Sequence, residues 1–320
     1  MPSLTVVVLT YNSESTIATC LNALVAQRYR DFKLIIVDDN STDRTLSVVD
    51  SYRESLTISV EINGSHNIAT GRNIGLRRAE TELVAFVDSD DSPTPEWTQV
   101  IVDAFEAEPN LALISGELVP SHSTRVSQAI ATNDDAIRHL FGKDVFLFCS
   151  SNCAINKRST SLYFDEKFRY AEDVEFASRV ASTHPWKYVP SMRVNHTSRA
   201  GLRQYGLQMY RYGCWRIYYG ARAHDFRLID FAPLSLILAS ALLAAFYRKP
   251  IFLIAIVLFS LVESSFVILY RRPARNVAYL LFPAWLTKNV AWSLGVVRAM
   301  YTLVTNHEMR SILRSPVSDL

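Results

Sequence analysis

Residues 83–91 read Leu83-Val84-Ala85-Phe86-Val87-Asp88-Ser89-Asp90-Asp91, an apolar run that ends in three acids within four positions. Five consecutive apolar residues suit a strand buried on both faces, as in a parallel sheet. The acids repel one another, so a positive group belongs among them. Asp88 and Asp90, one residue apart, can converge on one hard cation where the strand ends and the backbone turns. Carboxylate oxygens suit Mg2+ or Mn2+, and such an ion keeps open positions for substrate phosphates.

The same pattern recurs upstream. Residues 4–9 form a second apolar, β-branched run, ending in Thr10-Tyr11-Asn12, and residues 33–37 a third, ending in Asp38-Asp39. Residues 58–62 alternate like a strand. Between these runs lie helical spacings. Ile17, Cys20, Leu21, Leu24 and Val25 mark one, with Ser13 or Ser15 as its cap. Leu46 and Val49 mark a short one, residues 68–80 another, and Trp97, Ile101, Ala104 and Phe105 a fourth.

Strands alternating with helices predict a parallel, doubly wound α/β sheet, in which ligands bind beyond the carboxyl ends of the strands. Three polar clusters at those ends predict a single crevice. Asp39 can accept a hydrogen bond from a base or ribose. Arg72 and Asn73, near the start of a helix and flanked by Gly71 and Gly75, favour an anion. A surface salt bridge is the other reading of Arg72.

Other features bound the class. A formal charge of +2 is too small to argue for nucleic acid. Four cysteines (Cys20, Cys149, Cys153, Cys214) are too few for a disulfide framework and complete no zinc site, so they read as reduced structural thiols. The first dozen residues lack a basic leader and a cleavage site, which places the soluble part in the cytosol.

Beyond residue 230 the composition changes. Residues 231–247 carry no charge and are at the short limit of a span; 251–270 are long enough to cross, with Glu263 their only charge. Residues 277–304 hold Lys288 and Arg298 and suit either a third span or an interfacial helix. A buried hairpin in a soluble protein is the alternative for the whole region. Residues 199–228 set six arginines against one acid, Asp225, among tyrosines and Trp215, which suits a headgroup layer or an ordinary surface helix. The expected division is therefore 1–200 catalytic, 201–230 interfacial, 231–305 two to three membrane helices, and 306–320 a tail. The positive-inside rule puts Arg271 to Arg275 in the cytosol and leaves Arg248 and Lys249 facing outward.

Taken together, "VVVLTYNSE" (6–14), "LIIVDDNSTDRT" (34–45), "NIATGRNIGL" (67–76) and "AFVDSDD" (85–91) resemble, in order, four signatures of the family 2 glycosyltransferases. "YFDEKFRYAEDVEFASRV" (163–180) resembles that family's acceptor-side motif. The resemblance spans about residues 4–200. It implies the GT-A fold, a doubly wound mixed sheet, followed here by C-terminal membrane helices. It also implies an inverting transfer of sugar from a nucleotide diphosphate, UDP favoured and GDP possible, with Mn2+ or Mg2+. The acceptor it suggests is a lipid-linked molecule or growing glycan at the cytosolic face of the cell membrane.

Carried over residue by residue, Thr10, Tyr11, Asn12 and Glu14 match the nucleotide-binding turn and Asp39 the acid that reads the base. Arg72 matches the arginine near base and phosphates. Asp88 and Ser89 fall at the ribose and metal, and Asp90 is the principal metal ligand. Asp173, beside Glu172, matches the catalytic base. Asn40 stands where many relatives have glycine, and asparagine tolerates the left-handed turn. His196 reads either as a further metal ligand or as a structural histidine. "FCSSNCAI" (148–155) reads as an acceptor wall or as strand packing, and Arg203-Gln204 with Arg211-Tyr212-Gly213 as a donor cover or an interfacial segment. A non-catalytic membrane scaffold of the same fold is the competing function. Nucleotidyl transfer ranks last, because "TYNSESTIATC" lacks a glycine-rich basic run.

Overall fold

The computed structural model describes residues 3–121, 124–141, 148–168, 172–223, 226–247 and 252–306 of the 320. By contact they divide into two units, 1–120 with 142–197, and 121–141 with 198–319. Residues 121–141 thus fall with the C-terminal helices, whereas the sequence reading put everything up to 200 in one domain.

The first unit carries eight strands: β1 (Leu4–Thr10), β2 (Phe32–Asp38), β3 (Ile58–Ile62), β4 (Leu83–Asp88), β5 (Asp91–Pro93), β6 (Leu113–Ser121), β7 (Asn152–Asn156) and β8 (Trp186–Thr197). Their order is β3-β2-β1-β4-β7-β6-β8-β5. β1 pairs in parallel with β2 and β4, and β2 with β3, as the apolar runs predict. The rest is not parallel: β7 lies antiparallel to β4 and β6, and β5 antiparallel to β8. The sheet is mixed, and its switch point lies where β1 neighbours both β2 and β4.

Helices of the same unit cover both faces: α1 (Ile17–Val25), α2 (Thr45–Asp50), α3 (Ile68–Arg78), α4 (Trp97–Ala107) and α6 (Glu172–Thr183), while α5 (Arg125–Phe141) belongs to the second unit. The period of two along each strand divides the core. Val6, Val8, Ile36, Ala85 and Val87 pack with Ile17, Leu21, Trp97 and Ile101 on one side. Val7, Ile35, Val84 and Phe86 pack with Ala69, Leu76, Phe176 and Val180 on the other. α3 comes very close to β1, since a Cβ at Gly75 would stand 2.6 Å from Val7 Cγ1. The expected serine cap of α1 is absent: Thr16 is the N-cap residue without a side-chain bond, and Ser13 contributes its carbonyl to the amides of Thr16 and Ile17.

The second unit is helical: α5, α7 (Leu202–Ala223), α8 (Leu228–Tyr247), α9 (Phe252–Arg271) and α10 (Arg275–Thr305). The segment read as interfacial is largely α7. Its Tyr205, Met209, Cys214 and Ile217 are buried, and a Cβ at Gly295 of α10 would stand 2.1 Å from Tyr210 O. Polar groups join these helices. Arg216 pairs with Asp230 at 2.8 Å, and Asn289 Nδ2 donates to Glu263 Oε2 at 2.5 Å. Tyr205 donates its hydroxyl to Asp134 at 3.2 Å. Among the described residues one helix, over Ile254–Arg271, is long and apolar enough to cross a membrane, against the two to three spans that the sequence suggests. Residues 277–304, left open above, lie in the single helix α10. Asp225, Arg248, Lys249 and residues 307–320 lie outside the described residues.

Candidate active site

Strand register brings the rim together. Thr10 pairs with Asp38 and Leu9 with Asp88, so the ends of β2, β1 and β4 lie side by side. Oxygens of Asp88, Asp90 and Asp91 lie within 4.8 Å of one another. Asp91 was not singled out in the sequence and is the deepest of the three, 0% exposed, with Oδ2 buried and unpartnered. Its Oδ1 lies 2.6 Å from His196 Nδ1, because β5 pairs Asp91 with His196. The bond fixes the histidine through Nδ1 and leaves Nε2 as its other ring nitrogen. His196 is outside the acid cluster and attached to it through Asp91.

The electrostatics match the crowding. Burial, with Asp91 and Asp90, pushes the Asp88 carboxyl up to about 7 against the pull of Arg72. Burial also raises Asp91, opposed by the His196 hydrogen bond. Burial would lower the His196 imidazole, but the Asp91 hydrogen bond and the charges of Asp91, Asp90 and Asp88 hold it above its ordinary value. Carboxylates that share a site disfavour one another's ionisation, and a divalent cation removes that conflict. All the ligand atoms are hard oxygens, the set that Mg2+ and Mn2+ take. The residues therefore fit the ion.

On the β1–β2 side the turns interlock. Asp38, buried, accepts from Ser41 N at 2.9 Å and Ser41 Oγ at 2.6 Å. Asn12 donates its amide to Ser41 Oγ and accepts from Thr42 N, both at 2.8 Å. Asn40 has φ 59°, as an asparagine in the glycine position should. Tyr11 is exposed and Thr10 buried. Asp39 Oδ1 accepts from His66 N at 3.1 Å, and its Oδ2 lies 3.0 Å from His66 Nδ1. Glu14, expected in the nucleotide turn, accepts instead from Arg44 N at 3.0 Å. Ser89, expected near the ribose, is buried with Oγ 2.8 Å from Ser13 Oγ.

Arg72 is buried, which sets aside the surface salt bridge that the sequence also allowed. It is 2% exposed, with Nη1 2.5 Å from Glu172 Oε1, Nη2 3.9 Å from Asp88, and Cζ 5.5 Å from the Phe164 ring. Burial would lower the guanidinium, but Glu172, Asp88 and Asp173 outweigh it and keep it charged. The close seat of α3 on β1 accompanies an Arg72 held in the interior, beside both Glu172 and Asp88. Its neighbour Asn73 accepts from Phe164 N and donates to Phe164 O, both at 2.9 Å, so α3 holds the chain that leads to α6 at two adjacent positions.

Glu172 and Asp173 begin α6. Burial and then Asp173 push Glu172 up to about 7 against Arg72. Asp173 is half-buried and accepts from Val174 N at 2.8 Å. Burial first, then Asp173 and to a lesser degree Asp88, push the Cys149 thiol up to about 12. The four cysteines are free. The "FCSSNCAI" stretch supplies β7, whose five residues are all buried, and Asn152 there accepts from Trp97 Nε1 and donates to Glu117 O and Met192 O.

Comparison with known proteins bears on the family and the fold. The chain is 43% identical over 95 residues to the poly(ribitol-phosphate) β-N-acetylglucosaminyltransferase TarS of Staphylococcus aureus, covering 28% of this chain and 17% of that protein. It spans less than two thirds of the length of the first curated relatives it matches. Among solved structures it is similar to the mannosyltransferase PcManGT of Pyrobaculum calidifontis in complex with GDP-Man and Mn2+ (TM-score 0.62, 19% identity, 94% of this chain and 87% of that one). It is also similar to S. aureus TarS 1–349 in complex with UDP-GlcNAc (TM-score 0.52, 21% identity, 93% and 92%). At such identity these structures speak for the GT-A-like fold alone. The profile of glycosyl transferase family 2 matches residues 5–164, half of the chain, from β1 through the acid cluster to the segment before α6. The chain belongs to glycosyl transferase family 2.

Proposed function

We propose that the protein is an inverting glycosyltransferase that moves a sugar from a nucleotide diphosphate to a hydroxyl of a lipid-linked or growing-glycan acceptor. The observation that carries the reading is the convergence of Asp88, Asp90 and Asp91 at the carboxyl ends of the parallel strands, beside the Tyr11 and Asp39 turns. Asp88, Asp90 and Asp91 would hold the divalent cation, with His196 orienting Asp91. When bound, Mn2+ or Mg2+ supplies the positive charge that makes a diphosphate a better leaving group.

The chain's own residues do the rest. Asp173 accepts the proton of the acceptor hydroxyl as its oxygen attacks the anomeric carbon. The bond from that carbon to the diphosphate oxygen breaks as the new glycosidic bond forms, so one displacement inverts the centre. Glu172, bound to Arg72, holds the start of α6 and thereby Asp173. Thr10, Tyr11, Asn12 and Asp39 line the nucleotide side.

UDP is the favoured nucleotide, in keeping with the TarS complex, and the TarS name suggests a polyol-phosphate polymer among the acceptors to try. The apolar helix over Ile254–Arg271 supports a place at the cell membrane, with the catalytic unit on the cytosolic side. The test is transfer from a panel of UDP- and GDP-sugars by the full chain with Mn2+. Turnover lost in Asp90→Asn and Asp173→Asn, with unfolding temperature preserved, supports the assignment. No turnover or donor hydrolysis with any sugar would overturn it.

A further inference from the structure

The least expected contact on the nucleotide side is that of His66. It stands in the loop between β3 and α3 at φ 50°, a left-handed conformation uncommon outside glycine. Its amide N and its ring Nδ1 reach different oxygens of Asp39, at 3.1 and 3.0 Å. In the tautomer that donates from Nδ1, His66 offers this carboxyl two N–H groups, one to each oxygen. The ring is 60% exposed and stands edge-on to the Tyr11 ring, with centroids 5.7 Å apart. Tyr11 is itself 53% exposed, while Asp39 is 22% exposed. Two open rings and a half-buried acceptor therefore share one end of the rim.

That end is at a telling distance from the acids. Asp39 follows β2 and Asp88 ends β4, with β1 between them, two strand spacings or roughly 10 Å. A nucleotide with its phosphates at Asp88 and Asp90 places its base at Asp39, with Tyr11 offering a ring face.

The consequence lies in the lone pairs. A carboxylate offers about four acceptor positions, two of them in the fork between its oxygens. The fork suits two parallel N–H donors from one partner. Guanine presents such a pair, its ring N–H beside its exocyclic amino group. Uracil presents a single N–H between two carbonyls. His66 already spans both oxygens with two donors of its own, so the fork is taken and the outer positions remain.

We propose that His66 is a specificity-determining residue: by occupying the fork of Asp39 it makes that acid a reader of single N–H donors and so selects a uracil nucleotide over a guanine one. The proposal rests on the donor-site reading above and goes beyond it by naming the residue that sets the choice of base.

The experiment is titration calorimetry of the full chain with UDP and with GDP, each with Mn2+. The wild type should prefer UDP by about tenfold or more, the scale of one hydrogen bond to a charged group. His66→Gly accepts φ 50° without the ring and should bring the two affinities within about threefold of each other. His66→Asn, which tolerates the same backbone and restores a side-chain donor, should recover much of the preference. An unchanged UDP-to-GDP ratio in His66→Gly, or equal affinities in the wild type, overturns the proposal while leaving the donor site in place. If Asp39→Ala leaves both affinities unchanged, the base lies elsewhere and the donor-site reading fails as well.

Discussion

Replacing Arg72 by methionine should cost stability at alkaline pH and much less at acid pH. Arg72 is buried against Glu172, and methionine fills most of its volume without the charge. With Arg72 in place the Glu172 carboxyl already lies at about 7. Without it, the carboxyl moves toward the range of about 8–9 known for buried glutamates. Because its folded value lies above the ordinary 4.5, the group favours folding below that value, and the benefit is lost as pH rises through the folded value. Raising the folded value further therefore penalises the variant only where the wild-type group is ionised. At about pH 8.5 the penalty is about 2 kcal/mol, and at about pH 5.5, where the carboxyl is protonated in both proteins, this source contributes almost nothing.

The lost packing and hydrogen bond are common to both conditions and cancel in the comparison. For a body of this size about 2 kcal/mol corresponds to roughly 4–8 °C in unfolding temperature. The assay is thermal unfolding of the full chain in detergent, followed by tryptophan fluorescence, at the two pH values. The gap between wild type and Arg72→Met should widen by that amount on the alkaline side. Adding Glu172→Gln to both proteins should shrink the widening to the part that belongs to Asp88, which Arg72 also holds down from 3.9 Å. A gap that is the same at both pH values, or one that widens as much in the Gln background, would refute the reasoning.

Three further outcomes follow. Gly116→Ala sets a Cβ 2.0 Å from Met192 O and 2.7 Å from Asn152 Nδ2, so β6 and β8 must part; expression as soluble protein should fail, or the unfolding temperature should fall by more than about 10 °C. Asn152→Leu leaves Trp97 Nε1, Glu117 O and Met192 O without their partner, at about 1–3 kcal/mol for each buried group left unsatisfied, read by urea unfolding. Asp91→Asn removes one charge from the acid cluster while keeping an acceptor for His196, and should lower Mn2+ affinity about tenfold or more by calorimetry while leaving the fold intact.

The parallel half of the sheet was legible because strands buried on both faces must be apolar throughout, and β1, β2 and β4 are. Their polar ends were legible for the same reason, since nothing else explains acids directly after such runs. What escaped depends on distant partners. β7, Asn-Cys-Ala-Ile-Asn, is too short and too polar at its ends to decide between an acceptor wall and strand packing, yet it is wholly buried between β4 and β6. Asp91 joins the site through a three-residue strand paired 105 positions away, a distance over which no local pattern operates. An arginine in a helix reads as exposed, and only Glu172, 100 positions on, makes its burial tolerable. α5 has no long apolar run, so its place with the C-terminal helices was invisible.

Asn12, Asn40 and His66 all hold positive φ at the rim, and no glycine among the described residues does. A side chain at such angles costs about 1 kcal/mol that glycine would not, and it narrows the conformations open to the loop. The rim is therefore a stiff mould set during folding. A donor that docks there should lose little to loop ordering, and one of the wrong outline should be turned away by shape, because the walls have little slack with which to adapt.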